Sequence, residues 1–137
     1  MRTSLKLAAT CLIAAGALTT QPAFAQESPT LAKIKSSGTI ALGHRESSIP
    51  FSYYDDKQQV VGYSQELMLK VVDAVKAELK LPALAVKLTP VTSQNRIPLV
   101  QNGTVDIECG STTNNAERGR QVAFSNTIFI IGTRLMT

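Results

Sequence analysis

From Pro29 to Ile107, short apolar runs alternate with helix-length segments, and that order constrains the fold more than any other property of the chain. Ser28-Pro29 reads as an N-cap followed by proline at the first helical position. Leu31 and Ile34 share one face of the short helix that follows, and Gly38 stops it. Thr39 to Gly43 is a buried strand. Phe51 to Tyr54 and Val60-Val61 form a hairpin-like excursion around the polar turn Asp55 to Gln59. Ser64 opens the longest helix, in which Leu67, Val71, Val75 and Leu79 recur every fourth residue beside Met68 and Val72. Pro82 ends it. Leu84, Val86 and Leu88 then alternate with Ala85, Lys87 and Thr89, the pattern of a strand with one buried face. Ser93 to Arg96 begins another helix that ends at Asn102-Gly103 and tolerates Pro98 in its first turn. Val105 to Ile107 is the next strand, and the apolar, β-branched run Thr127 to Thr133 closes the chain. Strands alternating with helices predict an α/β domain with a mainly parallel sheet flanked by helices.

The first residues follow a different logic. Arg2 and Lys6 form a basic start, Leu7 to Leu18 is an apolar stretch too short to span a bilayer, and Ala23-Phe24-Ala25 is a small-residue cleavage site. Residues 1–25 therefore read as a signal peptide cleaved after Ala25, with 26–137 as one exported domain. Two of the 14 Lys and Arg residues leave with that segment against 10 Asp and Glu, so the formal charge of +4 falls to +2. The remaining basic residues are scattered, which argues against nucleic acid as a partner. Cys109 is then a single cysteine, either a buried free thiol or one lacking its partner. One His and one Cys make no zinc or haem constellation, so no metal or other cofactor is expected.

In parallel sheets ligands bind beyond the carboxyl ends of the strands. Arg45 follows the first strand, and Ser93 and Arg96 follow the next core strand. Ser111, Thr113 and Arg118 follow Val105 to Ile107, in the stretch ECGSTTNNAERGRQ (Glu108 to Gln121). Three loops at one sheet edge each bring an arginine. Hydroxyl donors ahead of a short helical run, with a guanidinium fork in it, suit a carboxylate. Each residue also has a plainer role open to it. Ser93 suits an N-cap, and Ser111 and Thr113 suit turns. His44 suits a hydrogen-bonded structural position, and Phe51, Tyr53 and Tyr54 suit hairpin packing. Asp106 and Glu108 suit ion pairs with Arg118 or Arg120.

Four strings carry a family resemblance: GHRESSIPFSYYD (Gly43 to Asp55), VGYSQEL (Val61 to Leu67), TSQNRIPLVQNGTVDIECGSTTNN (Thr92 to Asn115) and FSNTIFIIGTRLMT (Phe124 to Thr137). In them the chain resembles the N-terminal lobe of periplasmic glutamate/aspartate-binding proteins, the solute-binding components of ABC importers in solute-binding protein family 3. The resemblance implies a lobe of the type II periplasmic-binding-protein fold, with the second lobe absent from these residues. It implies a monomer that delivers acidic amino acids to an inner-membrane permease. Arg118 then clamps the ligand α-carboxylate with Thr113 and Ser111, while Arg45, Ser93 and Arg96 hold the side-chain carboxylate. The alternatives are a non-functional remnant, or a dehydratase or lytic enzyme on the same fold using His44, Glu46, Asp106 or Glu108.

Overall fold

The computed structural model describes residues 28–132 and Leu135. The signal-peptide expectation falls on residues outside that range.

Helix α1 (Pro29–Ser37) starts on Pro29 and ends where Gly38 takes a left-handed φ of 63°, a conformation glycine adopts without a Cβ penalty. Its Ile34 is buried. Strand β1 (Thr39–His44) follows at once and takes in His44, one residue beyond the expected end. A small antiparallel sheet comes next, from β2 (Ser47–Ser48), β3 (Ser52–Tyr54) and β4 (Val60–Val61) in the order β2-β3-β4. Asp55 closes its turn by accepting the backbone N–H of Lys57 at 2.9 Å and of Gln59 at 2.8 Å. Helix α2 (Tyr63–Leu79) then begins one residue earlier than expected, after Gly62 at a φ of 118°. A Cβ on Gly62 would sit 2.6 Å from the Phe51 carbonyl oxygen, so the hairpin can lie against the helix start only with glycine there.

The main sheet has the order β5-β1-β6, with β5 (Ala85–Pro90) and β6 (Ile107–Glu108) both parallel to the central β1. Thr39 pairs with Ala85 and His44 with Pro90 along one edge of β1, and Gly43 pairs with Glu108 along the other. Helix α3 (Arg96–Gln101) connects β5 to β6, with Pro98 in its first turn as expected. The α/β class and the parallel sheet expected from the alternation are therefore observed.

The two faces of β1 carry different loads because successive side chains point to opposite sides. Ile40 and Leu42 join Ile34, Met68, Val72 and Leu84 in the core under α1 and α2. Gly43 faces the other way, and a Cβ there would meet Val105, Val91 and Glu108 at 3.0 to 3.3 Å.

Two apolar patterns bury less than their spacing predicts. On α2 the buried stripe is Met68 and Val72 with Val75 and Leu79 packed beside it, whereas Val71 is 45% exposed. The inward face is rotated away from the row of every fourth residue. On β5 the alternating Val86 and Leu88 are 38% and 42% exposed, because β5 is an edge of the sheet and Leu84, just before it, enters the core instead. The run 127–132 forms neither helix nor strand. It is held by its side chains. Phe129 packs edge-on against Phe51 at 4.9 Å and Tyr63 at 6.3 Å, and the Tyr63 hydroxyl donates to the Ile128 carbonyl. Among the described residues no helix is long and apolar enough to cross a membrane.

Candidate ligand-binding site

All three arginines leave the carboxyl edge of the main sheet, as the strand order requires. Arg45 is the first residue after β1 and is half-buried. Its backbone N–H donates to the Ser52 hydroxyl at 2.9 Å, and that hydroxyl donates back to the Arg45 carbonyl at 3.1 Å. Two of its guanidinium nitrogens are already engaged, Nε with Ser48 Oγ at 3.2 Å and Nη1 with the Val91 carbonyl at 2.8 Å. The side chain is thereby fixed between the hairpin and the end of β5.

Arg96 is different. It opens α3 and is only 6% exposed, yet its Nε and Nη1 are buried without a hydrogen-bond acceptor. Burial lowers its pKa most, the Glu108 carboxylate pushes it back up, and the positive Arg118 and Arg45 lower it further. Arg45, Arg118 and Glu108 thus all lie within electrostatic range of Arg96.

Arg118 is half-buried and its Nη1 donates to the Thr113 carbonyl at 3.0 Å. The expected helical run around it is a three-residue 3-10 turn, Arg118–Arg120. So short a turn supplies no helix dipole, and any anion affinity here comes from side chains and loop N–H groups. Asn115 Oδ1 accepts the Arg118 N–H at 2.9 Å and fastens the start of the turn from its side chain.

Ser111 and Thr113 are exposed on the same loop, and the Ser111 hydroxyl reaches Ser48 Oγ at 3.4 Å, joining this loop to the Arg45 loop. Ser93 does not act as an N-cap. The residue before α3 is Asn95, which exchanges bonds with Thr92: Asn95 Oδ1 accepts the Thr92 N–H at 2.7 Å, and Thr92 Oγ1 accepts the Asn95 N–H at 3.2 Å. Ser93 is left exposed in that turn, and no hydrogen bond to a described residue ties it to the arginines.

The acidic residues take other partners than expected. Asp106 pairs with Lys33 at 2.8 Å and accepts the Ala41 N–H at 2.8 Å, anchoring α1 and β1 away from the arginines. Glu108 Oε2 accepts the Thr112 hydroxyl at 2.7 Å, and its Oε1 is buried with no donor. Gly110 allows that crowding, because a Cβ there would lie 2.7 Å from Arg45 Cγ and 2.8 Å from Glu108 Oε1. Arg120 bonds to the Ala116 carbonyl instead of an acid.

His44 is buried, edge-on to Tyr54 at 5.4 Å, with Nδ1 at 3.3 Å from the Arg45 carbonyl, a structural placement. Cys109 is a free, half-buried thiol. Burial pushes its pKa above the ordinary 9.0, opposed by a hydrogen bond with Ser64, while the Glu108 charge pushes it up again. Among the described residues no three His, Cys, Asp or Glu are grouped to hold a metal ion.

A cavity of about 330 Å³ opens beside this cluster. One wall is the loop from Glu108 to Asn114, and the other is the strap from Phe124 to Ile131, with Phe51 between them. Ser111 and Thr113 line it and the arginines do not. Phe51, read from the sequence as core or hairpin packing with cleft lining as the lesser alternative, is part of the wall, and Ser48 and Val91 hold Arg45. Their roles had no local signature, because each depends on a contact across the sheet edge.

Residues 40–137 match the bacterial extracellular solute-binding proteins, family 3. The chain belongs to that family. Over 108 residues it is 66% identical to the glutamate/aspartate import solute-binding protein of Escherichia coli, covering 79% of this chain and 36% of that one. It is 58% identical to the L-glutamate/L-aspartate-binding protein of Pseudomonas aeruginosa over 139 aligned positions, 100% of this chain and 45% of that one. The chain thus spans less than half the length of these curated relatives. Its fold also matches the arginine-bound form of domain 1 from TmArgBP, with a TM-score of 0.62 at 24% identity over 72% of this chain and 71% of that one.

Proposed function

We propose that this chain is the first lobe of an exported, non-catalytic binding protein that presents L-glutamate or L-aspartate to an ABC permease in the inner membrane. The observation that carries the reading is the convergence of Arg45, Arg96 and Arg118 beside the Ser111–Thr113 loop, in a chain 66% identical to a glutamate/aspartate import protein. A dicarboxylate amino acid has two anionic ends, and a single guanidinium satisfies only one of them.

Arg118, with Thr113 and Ser111, takes the α-carboxylate. Arg45 and Arg96, with Ser93 in the adjoining turn, take the side-chain carboxylate. Each hydrogen bond to a charged group contributes about 1.5–3 kcal/mol net, and a micromolar ligand needs roughly 8 kcal/mol in total. A few such bonds suffice where water is excluded. Cleavage after Ala25 and action as a monomer complete the reading.

Isothermal titration of L-glutamate into the purified protein tests it, with Arg118→Ala as the control. The expected outcome is binding that weakens at least about tenfold in the variant, the loss of one charged hydrogen bond. Glutamate binding that is equally strong in the variant would remove Arg118 from the site. Arg96→Gln is expected to weaken glutamate and leave L-glutamine nearly unchanged.

A further inference from the structure

Arg45 has only part of its guanidinium left for a ligand, and its neighbours decide which part. An arginine carries five N–H donors and no acceptor. Here Nε donates to Ser48 Oγ at 3.2 Å and Nη1 to the Val91 carbonyl at 2.8 Å. Nη2 and the second Nη1 hydrogen have no acceptor among the described residues. Those two nitrogens together can hold a carboxylate with two parallel bonds.

The small antiparallel sheet supplies this hold. Ser48 on β2 pairs with Ser52 on β3, and residues directly opposite in an antiparallel pair share a face. Both hydroxyls reach Arg45. Ser52, fully buried, exchanges bonds with the Arg45 backbone at 2.9 and 3.1 Å, and Ser48 takes the side chain. Ser48 is itself fixed, because the Phe51 N–H donates to its carbonyl at 2.7 Å. The Ser111 hydroxyl also donates to Ser48 Oγ, at 3.4 Å. That is long for two hydroxyls, so Ser111 can turn to a ligand while Nε keeps Ser48.

We propose that Ser48 is a positioning residue: its hydroxyl presets the Arg45 guanidinium so that both η nitrogens meet the side-chain carboxylate of the ligand. The preference for acidic over neutral amino acids then depends on a hydroxyl that the ligand does not touch. This rests on the assignment of Arg45 given above. Ordering an arginine side chain costs rotamer entropy. With Ser48 in place that cost falls on folding. Without it Nε loses its acceptor, the side chain swings about the Val91 contact, and each binding event must order it again. Arg118, bonded to the Thr113 carbonyl on its own loop, keeps its hold on the α-carboxylate.

Titration of L-glutamate and L-glutamine into Ser48→Ala, Arg45→Gln and the double variant tests the idea. Ser48→Ala is expected to weaken glutamate about three- to tenfold, the cost of re-ordering an arginine that Val91 still holds at one nitrogen. Glutamine should weaken by less than about twofold. The double variant should bind glutamate within about twofold of Arg45→Gln alone, because a residue that acts through another is non-additive with it. Ser48→Thr, which keeps the hydroxyl, should recover most of the affinity. Ser47→Ala, exposed on the opposite face of the same strand, should leave it unchanged. Glutamate binding unchanged in Ser48→Ala, equal losses for glutamate and glutamine, or losses that simply add overturn the proposal and leave the site assignment standing. So does an equal loss in Ser47→Ala, or no recovery in Ser48→Thr. No binding of glutamate by the unsubstituted protein, or no loss in Arg45→Gln, overturns the assignment and the proposal with it. Should Ser48→Ala fail to fold, Ser48→Cys puts a weak acceptor in the place of the oxygen and faces the same outcomes.

Discussion

Residues 28–109 and residues 110–132 of the same chain are held together by different means. The first stretch is organised by backbone pairing: β1 has a parallel neighbour on each side, and two helices cover its Ile40 and Leu42 face. The second has no α-helix and no strand. Its contacts are mostly made by side chains, among them Asn115 to the Arg118 N–H, Arg118 to the Thr113 carbonyl, Thr112 to Glu108, and Phe129 to Phe51. A hydrogen-bonded sheet with a filled core fixes positions cooperatively, whereas a loop held by side-chain contacts leaves Ser111 and Thr113 exposed. Ser111, Thr113 and Arg118 lie in that second kind of structure, and Arg45, Ser93 and Arg96 leave the platform that the first supplies.

Substitutions separate the two regions most sharply through stability. Leu42→Ala, at the centre of β1 and fully buried, should cost about 2–5 kcal/mol in urea denaturation, the range for a large core side chain cut to alanine. Thr113→Ala, exposed on the loop, should cost under about 0.5 kcal/mol. Equal costs would break the distinction.

Asp106→Asn probes how far the platform relies on its own polar contacts. The carboxylate is buried and serves both Lys33 and the Ala41 N–H, so its loss should cost roughly 1–3 kcal/mol. Glutamate affinity should hardly move, because the arginines do not use it. A large loss of affinity with stability intact would place Asp106 in the site instead.

The smallest effect sits at the boundary of the two regions. Because the folded chain raises the pKa of Cys109, the thiol contributes stability that is complete below the ordinary value of 9.0 and is lost as pH rises through the folded value. The fall in stability above that pH should therefore be shallower in Cys109→Ala than in the unsubstituted protein. Identical slopes would mean that the thiol is as solvated as in the unfolded chain.

The elements that could be read from the sequence are those whose cause is local. Pro29 and Gly38 bracket α1, Asp55 closes the hairpin turn, and strand-helix alternation sets the parallel class. Where the reading went astray, a side-chain bond or the position of a strand in the sheet intervened. Ser93 is a good N-cap type, but Asn95 and Thr92 satisfy each other first. Val86 and Leu88 alternate like a half-buried strand, yet β5 falls at a sheet edge. Arg118, expected on a short helical run, stands on a three-residue 3-10 turn, its N–H bonded to the Asn115 side chain.

By itself the sequence determined the α/β class, the order of the main-sheet strands and the helices between them, and the three arginine-bearing loops. Hydrophobic period, proline and glycine act within a few residues, and parallel strands must deliver their loops to one edge. Only the tertiary structure decided how those loops are used. It bonded Arg45 to Ser48 and Val91, left two nitrogens of Arg96 buried without acceptors, and tied Glu108 to Thr112. Burial and electrostatic coupling belong to residues that meet across the sheet, and no local pattern records those meetings.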